Sequence, residues 1–301
     1  MFKEIIFYKN NFNLNCPLPI LNSQLHKWGK IIMVKIEKLT DEIKGAILKF
    51  LYKEEAINLF IIHFIENGNI GDLYIDKKDN IGAILHIKDD GNSLFTNFYY
   101  DNKKNFETII KEIERLKSPR MLLAAKEEDV AVALKKLNIT RNIDKNFYYI
   151  FDNEKKLNLH IEEFNFKKAT FKDKDFIKEA YIDFFGAISK EDIESLTNDE
   201  KIKYDLKNGI YLLWREDTPV GLAKFSEFSR HFGEITTVYI KSEYRGRGLG
   251  KILMSKMVER LIEMGKTAIT QVNVRNLSAK AIYEGIGFKK YCDYAFEFLD
   301  N

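Results

Sequence analysis

The spacing of apolar positions spells out one order of elements twice. The segment MVKIEKLTDEIKGAILKFLYKEE, starting at Met33, reads as a short strand followed by a helix. After a second helix come a strand near Ile70 to Asp76, a strand pair from about Asn80 to Tyr100 turned at Asp90-Gly91, a helix, and a mixed stretch ending near Asp152. From Phe166 the order begins again. Phe166 to Lys172 reads as a strand, Asp173 to Phe185 and Ser189 to Lys207 as helices, and Ile210 to Arg215, Val220 to Phe228 and Phe232 to Lys241 as strands. Leu249, Ile252, Leu253, Met257, Leu261 and Met264 then recur at helical spacing, and Gly265 supplies the stop. A strand over Thr267 to Val274, a helix from about Leu277 to Glu284 and a strand near Tyr294 to Leu299 close the chain.

The halves also rhyme residue by residue. Phe147 to Asp152 lies 148 positions before Ala295 to Asp300, and at that offset Leu134-Lys135 falls under Ile282-Tyr283. This fixed spacing predicts a duplication. The expected division is an N-terminal extension at 1–32, a first domain at 33–152, a polar linker at 153–165 and a second domain at 166–301. Residues 1–32 carry Cys16-Pro17 and Pro19 without a clear period. They read as an appendage before a start at Met33, or as an extra strand or helix packed on the first domain.

Composition narrows the classes. The 301 residues include 48 Lys+Arg against 45 Asp+Glu, a net charge of +3, with 45% hydrophobic positions, which fits a folded chain and gives no basic field for nucleic acid. The longest apolar stretch, Ile57 to Ile65, is interrupted by Asn58 and His63 and falls short of the roughly 18 residues a membrane span needs. The opening MFKEIIFYKNNFN lacks the apolar core of a signal peptide, so a cytoplasmic location is expected. Cys16 and Cys292 stand at opposite ends, and the five histidines have no ligand spacing; neither a disulfide framework nor a metal is expected.

The most informative stretch runs from Val238 to Lys251, where a strand enters the turn Arg245-Gly246-Arg247-Gly248-Leu249-Gly250-Lys251 and opens the long helix. Glycines at alternate positions let main-chain amides converge at a helix N-terminus. Such a turn suits a pyrophosphate, with Arg245, Arg247 and Lys251 adding positive charge. A P-loop would need Gly in place of Arg245 and Ser or Thr in place of Ile252. A dinucleotide fingerprint would need a third glycine at Lys251. The spacing present, Arg245-x-x-Gly248-x-Gly250, resembles the acyl-CoA signature of the GNAT superfamily of N-acetyltransferases. The downstream run from Val272 to Phe288 resembles that family's second segment: Asn276, Ala279, Tyr283, then Gly287-Phe288 behind a strand. The likeness is strong over about 157–301 and extends to 33–152 in element order alone.

The resemblance implies two tandem GNAT-like domains of α/β class, each a mixed, mostly antiparallel sheet flanked by helices. It implies an acyltransferase using acetyl-CoA as cosubstrate, with an amine acceptor that is a small molecule or a peptide. By resemblance, the amides of Gly246 to Lys251 hold the pyrophosphate, the strand edge Val238-Tyr239-Ile240 pairs with the pantetheine arm and polarises the acetyl oxygen, and Asn276 bonds the CoA arm. Tyr283 would then protonate the leaving thiolate. The amine needs a base, because an alkyl ammonium of pKa about 10.4 is almost wholly charged at neutral pH. Glu234 is the candidate, on the strand six residues before Ile240, in the manner of histone-type members; a solvated strand-edge carboxylate is the other reading. Ribosomal-protein alanine acetyltransferases place their glutamate where this chain has Gln271, which cannot take a proton. The segment from Ser189 to Asp205 carries six acids, Glu191, Asp192, Glu194, Asp199, Glu200 and Asp205. It is either a cation-selective acceptor wall or a solvated face.

In the first half, Tyr99 to Phe106 replaces the glycine turn without a single glycine, and Lys135 stands at the Tyr283 position. That half reads as a degenerate domain that shapes the acceptor cleft, a tandem layout similar to that of mycothiol synthase. A non-catalytic CoA-binding or interaction module is the rival reading of the whole chain.

Overall fold

The computed structural model describes residues 33–152, 154 and 163–300. The expectations about residues 1–32, Cys16 among them, and about most of the linker lie outside the described residues. The first half contains β1 (Val34–Lys35), α1 (Asp41–Leu51), α2 (Leu59–Glu66), β2 (Asp72–Ile75), β3 (Ala83–Asp89), β4 (Leu94–Tyr100), α3 (Lys103–Leu116), β5 (Met121–Lys126), α4 (Glu127–Lys136) and β6 (Lys145–Phe151). The second contains β7 (Phe164–Lys168), α5 (Lys174–Phe185), α6 (Lys190–Thr197), α7 (Asp199–Asn208), β8 (Ile210–Arg215), β9 (Thr218–Phe228), β10 (Phe232–Ile240), α8 (Leu249–Glu263), β11 (Thr267–Asn273), α9 (Leu277–Ile286) and β12 (Phe288–Phe298).

Two local departures from the sequence reading have simple causes. The helix expected over Ser189 to Lys207 is two helices, because Asn198 is extended (ψ 148°) and caps the second through its side chain on the Lys201 amide, 2.9 Å. The last strand begins six residues earlier than its apolar pattern suggests. Lys289, Lys290 and Tyr291 are exposed, so they carry no core signal, yet Lys289 and Lys290 sit opposite Ile150 and Tyr149 in the ladder.

All strands join one 12-stranded sheet in the order β1-β2-β3-β4-β5-β12-β6-β11-β10-β9-β8-β7. Only β4–β5 and β10–β11 are parallel. The halves therefore exchange their last strands. β12, from the second half, pairs with β5 of the first, and β6, from the first, pairs with β11 of the second. β6 and β12 run antiparallel to each other, with Asn146 opposite Tyr294, its own counterpart at the 148-residue offset. A pseudo-twofold axis thus passes through that pair.

Alternation along the strands divides the core between two faces. On one face α3 and α4 cover Leu85, Phe98 and Leu123, and α8 covers Ala223, Phe225 and Ile235. On the other, α1 and α2 cover Leu73 and Ile84, and α5 with α7 covers Leu212, Leu222 and Tyr239. Between them on this second face, Leu59 and Phe60 of α2 pack with Phe95, Tyr148, Ile269 and Tyr294, so one cluster draws on both halves. No helix among the described residues is long and apolar enough to cross a membrane.

Candidate active site

The site begins where two parallel strands part. β10 and β11 pair only from Phe232–Thr267 to Glu234–Ile269, although both continue for several residues. The Thr270 hydroxyl donates to the Ile235 carbonyl at 2.9 Å and closes the apex of the split. Beyond it β10 bulges away from β9 between Thr236 and Tyr239, with Thr237 at φ 51°. A β-branched residue seldom takes that left-handed conformation, and here it turns the Val238 stretch out of the ladder toward the gap.

A cavity of about 1220 Å³ fills the split and reaches both faces of the sheet. Toward α8 and α9 it is lined by Val238, Ile240, the glycine turn, Asn276, Ile282 and Tyr283. Toward α2, α5 and α7 it is lined by Phe60, Phe64, Phe184, Lys201, Lys224 and Glu234, among others.

The glycine turn has the form an anion site requires. Gly246 (φ 76°) and Gly248 (φ 78°) are left-handed, and a Cβ on either would meet nothing within 4 Å. Gly248 is the N-cap of α8 and supplies no side chain to the first turn. Among the described residues, the amides from Gly246 to Gly250 have no backbone partner, whereas the Lys251 and Ile252 amides bond the Gly248 carbonyl. The predicted arginines act differently from simple charge donors. Arg245 Nε donates to the Ile240 carbonyl (2.8 Å) and its Nη2 to Asp183 (3.1 Å), tying the turn to α5. Arg247 donates to the Glu243 carbonyl at 3.1 Å. Gly250 lies against Ile282, where a Cβ would meet Cδ1 at 3.0 Å, so it also sets the approach of α9 to α8.

Asn276 is the N-cap of α9, accepting from the Ala279 amide (3.1 Å) and the Ser278 hydroxyl (3.0 Å). Tyr283 is buried on the cavity wall, edge-on to Tyr149 at 6.1 Å and against Phe288 at 5.8 Å. Tyr149 comes from the exchanged strand β6 and donates to Glu284 at 2.6 Å, so the first half braces the Tyr283 helix.

Glu234 is buried at the mouth of the split, which sets aside the solvated strand-edge reading. It accepts from the Ser226 hydroxyl and, at 3.0 Å, from the Gln271 amide. Burial first, and then the neighbouring Glu227 with which it shares a hydrogen bond, hold its carboxyl well above the usual carboxylate range. Glu227 completes this pair and was not singled out from the sequence. Its signal was the run Lys224-Phe225-Ser226-Glu227, polar side chains on a strand whose preceding residues are buried. Gln271, which cannot itself accept a proton, holds Glu234 in place.

The acids from Ser189 to Asp205 do not form the cavity wall. That segment contributes Ser195, Leu196, Asn198 and Lys201, while Asp199 pairs with Lys178 (3.1 Å) and Asp205 is buried among lysines. Burial raises the Cys292 thiol to about 11, which leaves it a poor nucleophile. Among the described residues no cluster of His, Cys, Asp or Glu could hold a metal ion.

The first half lacks the open helix start and the tyrosine. The Asn102 side chain caps α3 on the Asn105 amide at 3.1 Å, filling the place where α8 is open. The Asn97 amide reaches across to the Ala124 carbonyl (3.0 Å) one residue beyond the last β4–β5 pair, the place that the Thr270–Ile235 bond takes between β10 and β11. Lys135 is exposed.

The strand split, the uncapped glycine turn, Tyr283 and Glu234 surround one cavity, and residues 174–288, under half of the chain, match the family described as Acetyltransferase (GNAT) family. A mycothiol acetyltransferase of Corynebacterium aurimucosum is 34% identical over 90 residues, 28% of this chain and 26% of that protein. The chain thus spans about a quarter of the length of that curated relative. Among solved structures, a Drosophila protein superposes with a TM-score of 0.65 at 15% identity, covering 89% of this chain and 98% of the other. A tandem GNAT protein from the clavulanic acid biosynthesis pathway gives 0.60 at 10%, covering 88% and 96%. A GNAT-family acetyltransferase from Colwellia psychrerythraea gives 0.55 at 13%, covering 88% and 99%. At these identities the likeness establishes the fold: a tandem GNAT arrangement.

Proposed function

We propose that the protein is an acetyl-CoA-dependent N-acetyltransferase in which a primary amine attacks the thioester directly, within a ternary complex. One observation carries the reading: the uncapped turn from Gly246 to Gly250, Tyr283 and Glu234 open on the same cavity, at the split between β10 and β11. The turn's amides bind the pyrophosphate. The displaced backbone at Val238 to Ile240 aligns the pantetheine arm and offers a donor to the thioester oxygen, as an oxyanion hole does. Asn276, besides capping α9, lies beside that arm. The new N–C bond forms as the C–S bond breaks; Glu234, in its ionised form, takes the proton the amine sheds, and Tyr283 protonates the departing thiolate. The first half walls the acceptor side with Phe60 and Phe64.

Calorimetric titration with acetyl-CoA, followed by thiol release over a panel of amines, tests this. Binding followed by amine-dependent release supports it. Binding with no turnover on any amine would make the protein a CoA-binding module, and no binding would end the reading altogether.

A further inference from the structure

On the acceptor side the cavity wall divides by charge. At one end stand Lys224 of β9 and Lys201 of α7, both closing on a single acid: Lys224 Nζ lies 3.0 Å from Asp205 Oδ1 and Lys201 Nζ 3.1 Å from Oδ2. The Tyr181 hydroxyl also donates to that carboxylate, at 2.8 Å. Lys224 is 12% exposed and Asp205 4%, while Lys201 reaches further into the open space at 33%. One buried carboxylate facing two ammonium groups leaves a positive charge over. Burial, then the charge of Lys224, depress Lys201, while Asp205 and, more weakly, Glu227 favour its charged form. At the other end, three residues along β9 and roughly 10 Å of extended chain away, Glu227 stands beside Glu234, whose carboxyl is pushed up by burial and then by Glu227. The surface near these ends is aromatic, with Phe60, Phe64 and Phe95 from the first half and Phe184 and Phe185 from α5.

We infer that the acceptor is a free α-amino acid with an apolar side chain, its carboxylate held by Lys201 and Lys224, its amine presented to Glu234, and its side chain laid on the phenylalanines. This rests on the acetyl-transfer reading and narrows its acceptor. A polyamine or aminoglycoside would meet the surplus lysine charge, and a peptide N-terminus has no carboxylate to offer there.

The test measures binding and turnover separately. In the presence of CoA, the full chain is titrated calorimetrically with L-phenylalanine, L-phenylalaninamide and phenethylamine, and with L-leucine and isoamylamine; acetylation of each is then assayed. The amino acids are expected to bind and to react at least tenfold better than their amides or decarboxylated amines. Lys201→Met, which leaves Lys224 on Asp205, should reduce that preference about tenfold, and Lys201→Arg should restore most of it. An unaltered preference in Lys201→Met, equal use of amines with and without the carboxylate, or turnover of amines while amino acids fail to bind would overturn the inference. Carboxylate-dependent binding without turnover would uphold it and refute acetyl transfer instead; no binding and no turnover would refute both.

Discussion

Replacing Gly248 by alanine separates the anion cradle from the fold. At φ 78° an L side chain costs about 1–2 kcal/mol of backbone strain, whereas no neighbouring atom lies within 4 Å of the new Cβ, so packing adds nothing. The expected loss of stability is therefore small, a few degrees in Tm. Ligand binding should suffer more. Misdirecting one amide donor to a charged phosphoryl oxygen forfeits about 1.5–3 kcal/mol, a roughly 10- to 150-fold rise in the Kd for CoA. Gly265 supplies the matched control, with φ 70° and nothing within 4 Å at the other end of α8. Gly265→Ala should cost the same stability and leave CoA affinity unaltered. Calorimetry and thermal melts on both variants decide the matter; Kd values within twofold of each other would refute the cradle.

Three further outcomes are expected. Tyr283→Phe keeps the ring packing against Tyr149 and Phe288, so Tm should hold while kcat falls about 10²-fold or more and CoA affinity stays level, as stopped-flow and equilibrium binding will show. Glu234→Gln should lower kcat and remove an alkaline-rising limb from the pH–rate profile, since the carboxyl must lose its proton to serve as base. The same variant should gain stability with rising pH relative to the parent. The native carboxyl stays protonated above the ordinary value of 4.5 at which the unfolded chain releases its proton, so the parent loses stability as pH climbs through the raised value; melts at pH 5 and pH 8 would expose a wrong sign. Residues 166–301 expressed alone should be insoluble, because β6 is missing from between β11 and β12, and co-expression with residues 33–152 should restore a soluble complex detectable by gel filtration.

Legibility in the sequence followed range. The glycine turn, the amphipathic stripe of α8 and the register from Asn276 to Gly287-Phe288 are local, and each lies on the element the spacing implies. Tyr283 and Glu234 line one cavity from α9 and β10 of the same half. What stayed hidden was long-range. β6 has the same alternating apolar pattern whichever strand lies beside it, so nothing in Lys145 to Phe151 reveals that its neighbours are β11 and β12. Lys224 and Glu227 carry no local signal of a site, because what places them on the cavity wall is the packing of distant helices over β9. The acids from Ser189 to Asp205 face elsewhere; from that segment Ser195, Leu196, Asn198 and Lys201 reach the wall.

The traded strands also bind a half with no cradle of its own to the half that has one. Each half supplies a rung that the other's ladder cannot do without: remove the first, and Tyr149 no longer braces the helix bearing Tyr283, while β12 loses the edge it leans on. A nick between Asp152 and Phe164 would leave two polypeptides laced together like clasped fingers. The two halves therefore stand or fall together as one continuous sheet.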